Sequence, residues 1–195
     1  MDIKELERQV ENKFAPAPLL AVQAFANTAP GDTEPELLPD AERAREWMVE
    51  SGLLTRDAKV READVSRLVE FRALIVSMLE ANLTGEQDRK ANERLGRLAA
   101  EHPVAMTVDS DGQVTLDVEP AASVDALIGQ MVGIVFQSQV DSTWPRLKVC
   151  AAHDCRWAFY DSSRNRGGTW CQMEVCGNRV KNRAYRKRQS KSARS

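Results

Sequence analysis

All four cysteines of the chain fall within 27 residues, as Cys150, Cys155, Cys171 and Cys176 in the pattern C-x4-C-x15-C-x4-C. No other feature limits the fold as much. Each pair closes a tight loop that can set two sulfurs on one ion, and the fifteen residues between let the chain return with the second pair. Four thiolates suit a closed tetrahedral zinc site, so Cys150, Cys155, Cys171 and Cys176 are the candidate metal ligands and Zn2+ is the expected structural cofactor. Such a site keeps no open position for catalysis. The acids near it are only Asp154, Asp161 and Glu174, so the chain is expected not to be an enzyme, with no catalytic residue assigned. Gly177, directly after the last ligand, fits a turn passing close to the metal. His153, inside the first loop, is a further nitrogen donor and reads as a bystander beside four thiolates. Two other uses of the cysteines stay open: a pair of disulfides in a secreted chain, and a redox role for the thiols. The opening "MDIKELERQVENK" has no apolar signal core, and no apolar run approaches the about 18 residues of a membrane span. A cytoplasmic location follows as the expectation, with no membrane partner, and there ordered cysteines point to metal.

The charge is divided along the chain. Residues 145–195 hold 13 Lys/Arg and 3 Asp/Glu, a net of +10, whereas residues 1–144 carry −12; together these give the overall −2. An acidic body with a basic end points to a polyanion as partner. On a C-terminal helix Arg179, Arg183 and Arg186 or Lys187 would share a face, while Val180 and Ala184 pack back on the zinc loop. Arg164 and Arg166, in "DSSRNRGG", would add a second basic edge. The candidate nucleic-acid contacts are therefore Arg164, Arg166, Asn178, Arg179, Lys181, Arg183, Arg186, Lys187 and Arg188. Asn178, Arg179, Asn182 and Arg183 are candidates for base reading by type and position. Trp157, Phe159, Tyr160 and Trp170 lie between the ligand pairs and read as the module's own core. If they proved exposed, they would instead offer stacking surfaces for RNA, so the charge alone leaves DNA and RNA both open.

Upstream, residues 1–14 read as a short polar helix and Leu19–Ala26 as an apolar one, with 29–39 as loop. Asp40 suits an N-cap, Ala44, Trp47 and Met48 an inner face, and Gly52 a stop. The longest helical pattern places Leu68, Phe71, Ile75 and Met78 on one face. Thr84 with Gln87 resembles a capping box opening a helix whose inner face is Ala91, Leu95 and Leu98. The period then changes to two: Val104, Met106 and Val108, a turn at Asp111-Gly112, then Val114, Leu116 and Val118, which is a β-hairpin with an apolar face. Ser123 caps a last helix with Val124, Leu127, Ile128, Met131 and Val135 inward, and "STWPRL" reads as a junction. The expected fold is α+β: a mainly helical N-terminal domain with a small antiparallel hairpin sheet over 1–144, acidic and regulatory or sensing, then a basic four-cysteine zinc module over 145–195.

The segment "LKVCAAHDCRWAFYDSSRNRGGTWCQMEVCGNRVKNRAYRKR" closely resembles the CGNR zinc finger, whose four letters stand here as Cys176-Gly177-Asn178-Arg179. The aromatic-Asp-x-Ser-Arg-Asn stretch and the Trp170-Cys171-x-Met173 step resemble it as well, over about 45 residues. "LLAVQAFANT", "WMVESGLL" and the "DGQVTL" hairpin are similar to the α/β domain that accompanies this finger in bacterial stress-response transcription regulators. The resemblance implies the same four cysteine ligands and a DNA-binding, transcription-regulating role. Relatives often carry a basic pair just before the Trp-Cys step; here stand Gly167-Gly168-Thr169. The rival readings from the residues are an RNA-binding protein and a redox-sensing or protein-interaction adaptor, and a homo-oligomer remains open.

Overall fold

The structure is a computed structural model and describes residues 1–29, 31 and 35–192, with the side chains of Ala184, Lys187, Arg188, Ser190, Lys191 and Ser192 outside that description. Two of the expected nucleic-acid contacts, Lys187 and Arg188, and the expected packing of Ala184 therefore lie outside the described residues. Seven α-helices and two small antiparallel hairpins alternate along the described chain, an α+β fold as expected.

Helix α1 (Ile3–Val10) is shorter than expected, because Glu11 and Lys13 adopt positive φ values of 67° and 50° and turn the chain sharply. Helix α2 (Leu19–Ala26) is buried along its whole length and forms the central spine. Helix α3 (Ala41–Glu50) starts at Asp40, whose carboxylate accepts the Arg43 N–H at 2.8 Å. At Gly52 (φ +64°) a side chain would stand 2.5 Å from the Asp2 backbone nitrogen, so the glycine lets the N-terminus close over the end of α3.

Helix α4 (Glu62–Thr84) brings Leu68, Phe71, Ile75 and Leu79 into the core. Phe71 meets Phe25 of α2 with ring centroids 5.8 Å apart, which ties α4 to α2 in the core. The expected cap at Thr84 is corrected. That hydroxyl closes α4 by donating to the Glu80 carbonyl at 3.0 Å, and Gly85 ends the helix in the left-handed region (φ 80°). Helix α5 (Arg89–Glu101) is capped by Asp88, which accepts from the Lys90 and Ala91 N–H groups, so the carboxylate nearer the helix wins over the hydroxyl. His102 beyond it is buried and satisfied: Nδ1–H donates to the Leu98 carbonyl and Nε2 accepts from Arg67, both at 2.8 Å.

Strands β1 (Met106–Val108) and β2 (Val114–Leu116) pair as expected, but Met106, Val108 and Val114 are exposed. Only the base of this hairpin reaches the core. Helix α6 (Val124–Val140), capped by Ser123, buries Leu127, Ile128, Met131 and Val135 against α2 and α4.

A single 3-10 turn at Trp144–Arg146, with Trp144 buried, leads into β3 (Leu147–Val149) and β4 (Ala158–Tyr160). Leu147, Val149 and Ala158 belong to the same hydrophobic core as α2, α4 and α6. The hairpin is fastened there by polar side chains of α2's C-terminal end. Asn27 accepts the Ala158 N–H at 2.6 Å and donates to its carbonyl at 3.1 Å, and Gln23 donates to the same carbonyl at 3.2 Å. Asn27→Ala leaves the Ala158 N–H without its partner inside the core and its carbonyl with Gln23 alone. Its expected cost is about 2–3 kcal/mol, read as a lower urea midpoint at unchanged m-value.

Candidate metal centre and basic surface

The β3–β4 hairpin sets up the first half of the centre. Cys150 follows β3 directly and donates its N–H to the Trp157 carbonyl at 2.8 Å. Between them the chain folds into a knuckle: the N–H groups of Cys155 and Arg156 both reach the Ala152 carbonyl, at 2.9 and 3.2 Å, and Arg156 takes φ 58°. Ala151 N–H donates to the Thr169 carbonyl at 2.9 Å, which draws the returning strand and Cys171 alongside. A wide turn at Met173–Gly177, closed by Cys176 N–H on the Gln172 carbonyl at 3.0 Å, places Cys176 at the entry to helix α7 (Asn178–Ser192).

The four sulfurs converge within 4.8 Å of one another. Cys155 Sγ lies 3.6 Å from Cys171 Sγ, and Cys171 Sγ lies 3.7 Å from Cys176 Sγ. A tetrahedron with Zn–S bonds of about 2.3 Å has S–S edges of about 3.8 Å. The donor set thus fits zinc in chemistry and in size, and Cys150, Cys155, Cys171 and Cys176 are the residues that would hold it. All four thiols are free, and bridged sulfurs would stand near 2 Å apart, which sets the disulfide alternative aside. His153 is exposed and is not part of the cluster. Phe159 and Ala152 pack beneath the sulfurs and Trp157, Trp170 and Val180 flank them, so three of the four expected aromatics form the module's small core, while Tyr160 packs on the large helical core instead.

The sulfurs bear on each other's ionisation. Hydrogen bonds from the Cys155 and Cys171 thiols hold Cys150 down to about 2. Hydrogen bonding to Cys150 pushes Cys155 up to about 12, and Cys171 is raised by Cys150, Cys155 and burial. A cluster this tight does not carry four negative charges by itself; a divalent cation supplies the compensation and releases protons as it binds.

Cationic groups lie around the cluster. Arg179 Nη2 stands 3.6 Å from Cys176 Sγ and 3.2 Å from Asp154 Oδ1, and Arg183 Nη2 lies 3.1 Å from Asp154 Oδ2. Asp154, counted in the sequence only as a nearby acid, therefore ties α7 to the first knuckle through two arginines one helical turn apart. Lys13 reaches across from the turn after α1, donating to the Trp170 carbonyl at 2.7 Å with its ammonium 4.9 Å from the Phe159 ring centroid. Arg156 grips Glu80 of α4 through two hydrogen bonds of 2.8 and 2.9 Å. A cleft of about 220 Å³ opens beside the sulfurs, walled by Glu11, Asn12, Trp157, Val175 and Arg179. No sequence periodicity announces these contacts between distant parts of the chain.

The expected basic residues divide into two groups. Arg179 is half-buried and Arg183, though exposed, is paired, so both are engaged within the module. Arg164, Arg166, Lys181 and Arg186 are exposed and, among the described residues, make no ion pair. Asn178 is exposed and donates to the Glu174 carbonyl at 3.2 Å. The departure at Gly167-Gly168 also has a structural reason. A Cβ on Gly168 would stand 2.8 Å from the Asp161 carboxylate, whose oxygen accepts the Gly168 N–H at 2.7 Å.

Among the described residues no helix is long and apolar enough to cross a membrane. The chain matches two family models: the CGNR zinc finger over residues 146–189, and a family described as "Putative stress-induced transcription regulator" (ABATE) over residues 20–155. The two matches overlap on the β3–β4 knuckle, and neither family is described as an enzyme. No curated protein matches the chain.

Proposed function

The chain belongs to the ABATE family, and from that membership together with its zinc centre we propose that it is a zinc-dependent DNA-binding regulator whose basic C-terminal face contacts phosphates. The observation that carries the reading is a set of exposed cations, Arg164, Arg166, Lys181 and Arg186, that make no ion pair among the described residues and lie in the segment built around the four-cysteine centre. Asp154 supports it by fixing the start of α7 against the first knuckle, so the helix that carries Lys181 and Arg186 is held to the cysteine centre. Guanidinium forks suit phosphate oxygens, and positions held by a scaffold bind with less ordering cost. Burial of Phe159, with Trp157 and Trp170 packed at the cluster, favours a duplex over single-stranded RNA, which needs free aromatic faces for stacking.

The test is binding of zinc-loaded protein to duplex DNA by fluorescence anisotropy across a salt series. With about six phosphates engaged, log K falls against log salt with a slope of about −5. Lys181→Ala with Arg186→Ala lowers that slope by about 2 and weakens unrelated duplexes alike, as phosphate contacts do. Preference for single-stranded RNA would move the reading to RNA. Zinc-loaded protein with no nucleic-acid affinity would refute it and assign the basic face to an acidic protein partner.

A further inference from the structure

The first hairpin and the C-terminal half of α6 leave an apolar face open. Gly129 and Gly133 let the chain entering the hairpin lie directly on α6. A Cβ at Gly129 would stand 2.5 Å from the Pro103 carbonyl oxygen, and one at Gly133 would stand 2.7 Å from Val104 Cγ1 and 2.9 Å from Leu116 Cδ2. Gln130 secures the other strand by donating to the carbonyls of Asp117 and Glu119 at 2.9 and 2.8 Å. The register pairs Met106 with Leu116 and Val108 with Val114, so strand alternation puts all four on the side of the hairpin that meets α6. Phe136 and Val140 follow Gly133 along the same stripe of the helix, three and seven residues on. Packing nevertheless stops at the inner end: Val108 is 66% exposed, Val114 61%, and Phe136 and Val140 62% each. The opposite side of the hairpin is polar, with Thr107 and Thr115 hydroxyls 3.1 Å apart.

We propose that this face, formed by Val104, Met106, Val108, Val114, Phe136 and Val140, is the contact between two copies of the chain related by a two-fold axis. Together the six residues expose about 600 Å², most of it apolar side chain, the upper end of what a monomer leaves open. Covered by its own copy, the patch buries about 1,200 Å² in total, which reaches the range of specific interfaces. A hairpin with three paired residues per strand is marginal in water, and a second apolar face is what it lacks. None of the residues that form the patch is charged, as the centre of an interface requires, while Asp109, Asp111, Asp117, Glu119 and Asp141 lie near it in sequence. Those acids disfavour nucleic acid and anionic lipid, and the area the patch can bury, that of a small specific interface, is what a second copy supplies. Screening of the like-charged rims strengthens the dimer as salt rises, whereas DNA binding weakens.

The test is sedimentation equilibrium of the full zinc-loaded chain without nucleic acid, so it stands whether or not the DNA reading does. The expected result is a dimer with a micromolar or tighter Kd that tightens between low and high salt. Val114→Asp and, separately, Phe136→Ser weaken it at least tenfold with zinc content and circular dichroism unchanged. Phe136 lies exposed on a helix, so its variant remains informative even if the hairpin tolerates no aspartate. A chain still monomeric at about 100 µM, far above the Kd expected of a standard interface, would overturn the proposal. So would a dimer that both variants leave intact.

Discussion

Replacing Cys171 and Cys176 with serine strips the chain of its zinc and melts the cysteine knuckle and α7 while the helical body stays folded. The expectation rests on how the cores are divided. Cys150, Ala152, Phe159, Cys171 and Cys176 form a small cluster of their own, whereas Leu147, Val149 and Ala158 belong to the large core of α2, α4 and α6. So small a cluster does not offset the chain entropy of the residues it orders. Structural zinc contributes about 10–16 kcal/mol in comparable modules, so its loss is decisive there. Elemental analysis of the wild type should find one zinc per chain, and the variant none. Hydrogen exchange should show amides of α7 and the knuckle losing protection while α2, α4 and α6 keep theirs. Full protection of α7 in the zinc-free variant would show that metal and fold are independent.

The second large effect is expected at Lys148 and Asp161, a buried pair joined at 2.9 Å with both side chains almost inaccessible. Lys148 also donates to the carbonyls of Arg166 and Gly168, at 2.5 and 3.3 Å, and Asp161 accepts the N–H groups of Ser163 and Gly168. The pair thus shapes the loop that carries Arg164 and Arg166. Burial works against the Asp161 charge, but hydrogen bonds from Ser163, Lys148 and Gly168 outweigh it and hold the carboxyl well below its usual range. Asp161→Asn leaves an unpaired buried ammonium, and the expected loss is about 3–5 kcal/mol in urea denaturation. The sign of the pH dependence follows from the lowered value in the folded state. The contribution is fully present above the ordinary carboxylate range and is lost as pH falls below about 4 toward the folded value. Asp161→Asn should therefore flatten the acid limb of the wild-type stability curve as well as lower the plateau. An unchanged acid limb would show that other carboxylates govern it. Gly168→Ala, which crowds the same carboxylate, should weaken the pair in the same direction.

Much of this molecule can be read from local pattern. Asp40 and Ser123 cap their helices because short polar side chains next to an apolar period satisfy free N–H groups at that point. The inner faces of α4 and α6 are legible from spacing alone, since both pack their stripes against one core. Local pattern does not decide where neighbours compete or where burial depends on distant partners. Thr84 and Asp88 both suit a cap, and only the left-handed turn at Gly85 decides between them. The alternation of Met106, Val108 and Val114 is that of a half-buried strand, yet among the described residues only the hairpin's base is packed.

The sequence by itself determined the metal centre. Four cysteines at that spacing leave few ways to bring thiolates together, and loops this tight close locally. It also determined the charge division between an acidic body and a basic end. Only the tertiary structure decided what the charges do. Asp154 takes Arg179 and Arg183 for the module itself, Glu80 takes Arg156, and Arg164, Arg166, Lys181 and Arg186 are left facing solvent. A charge's partner is set by distance across folded elements. Sequence separation, 76 residues for Glu80 and Arg156, carries no trace of it.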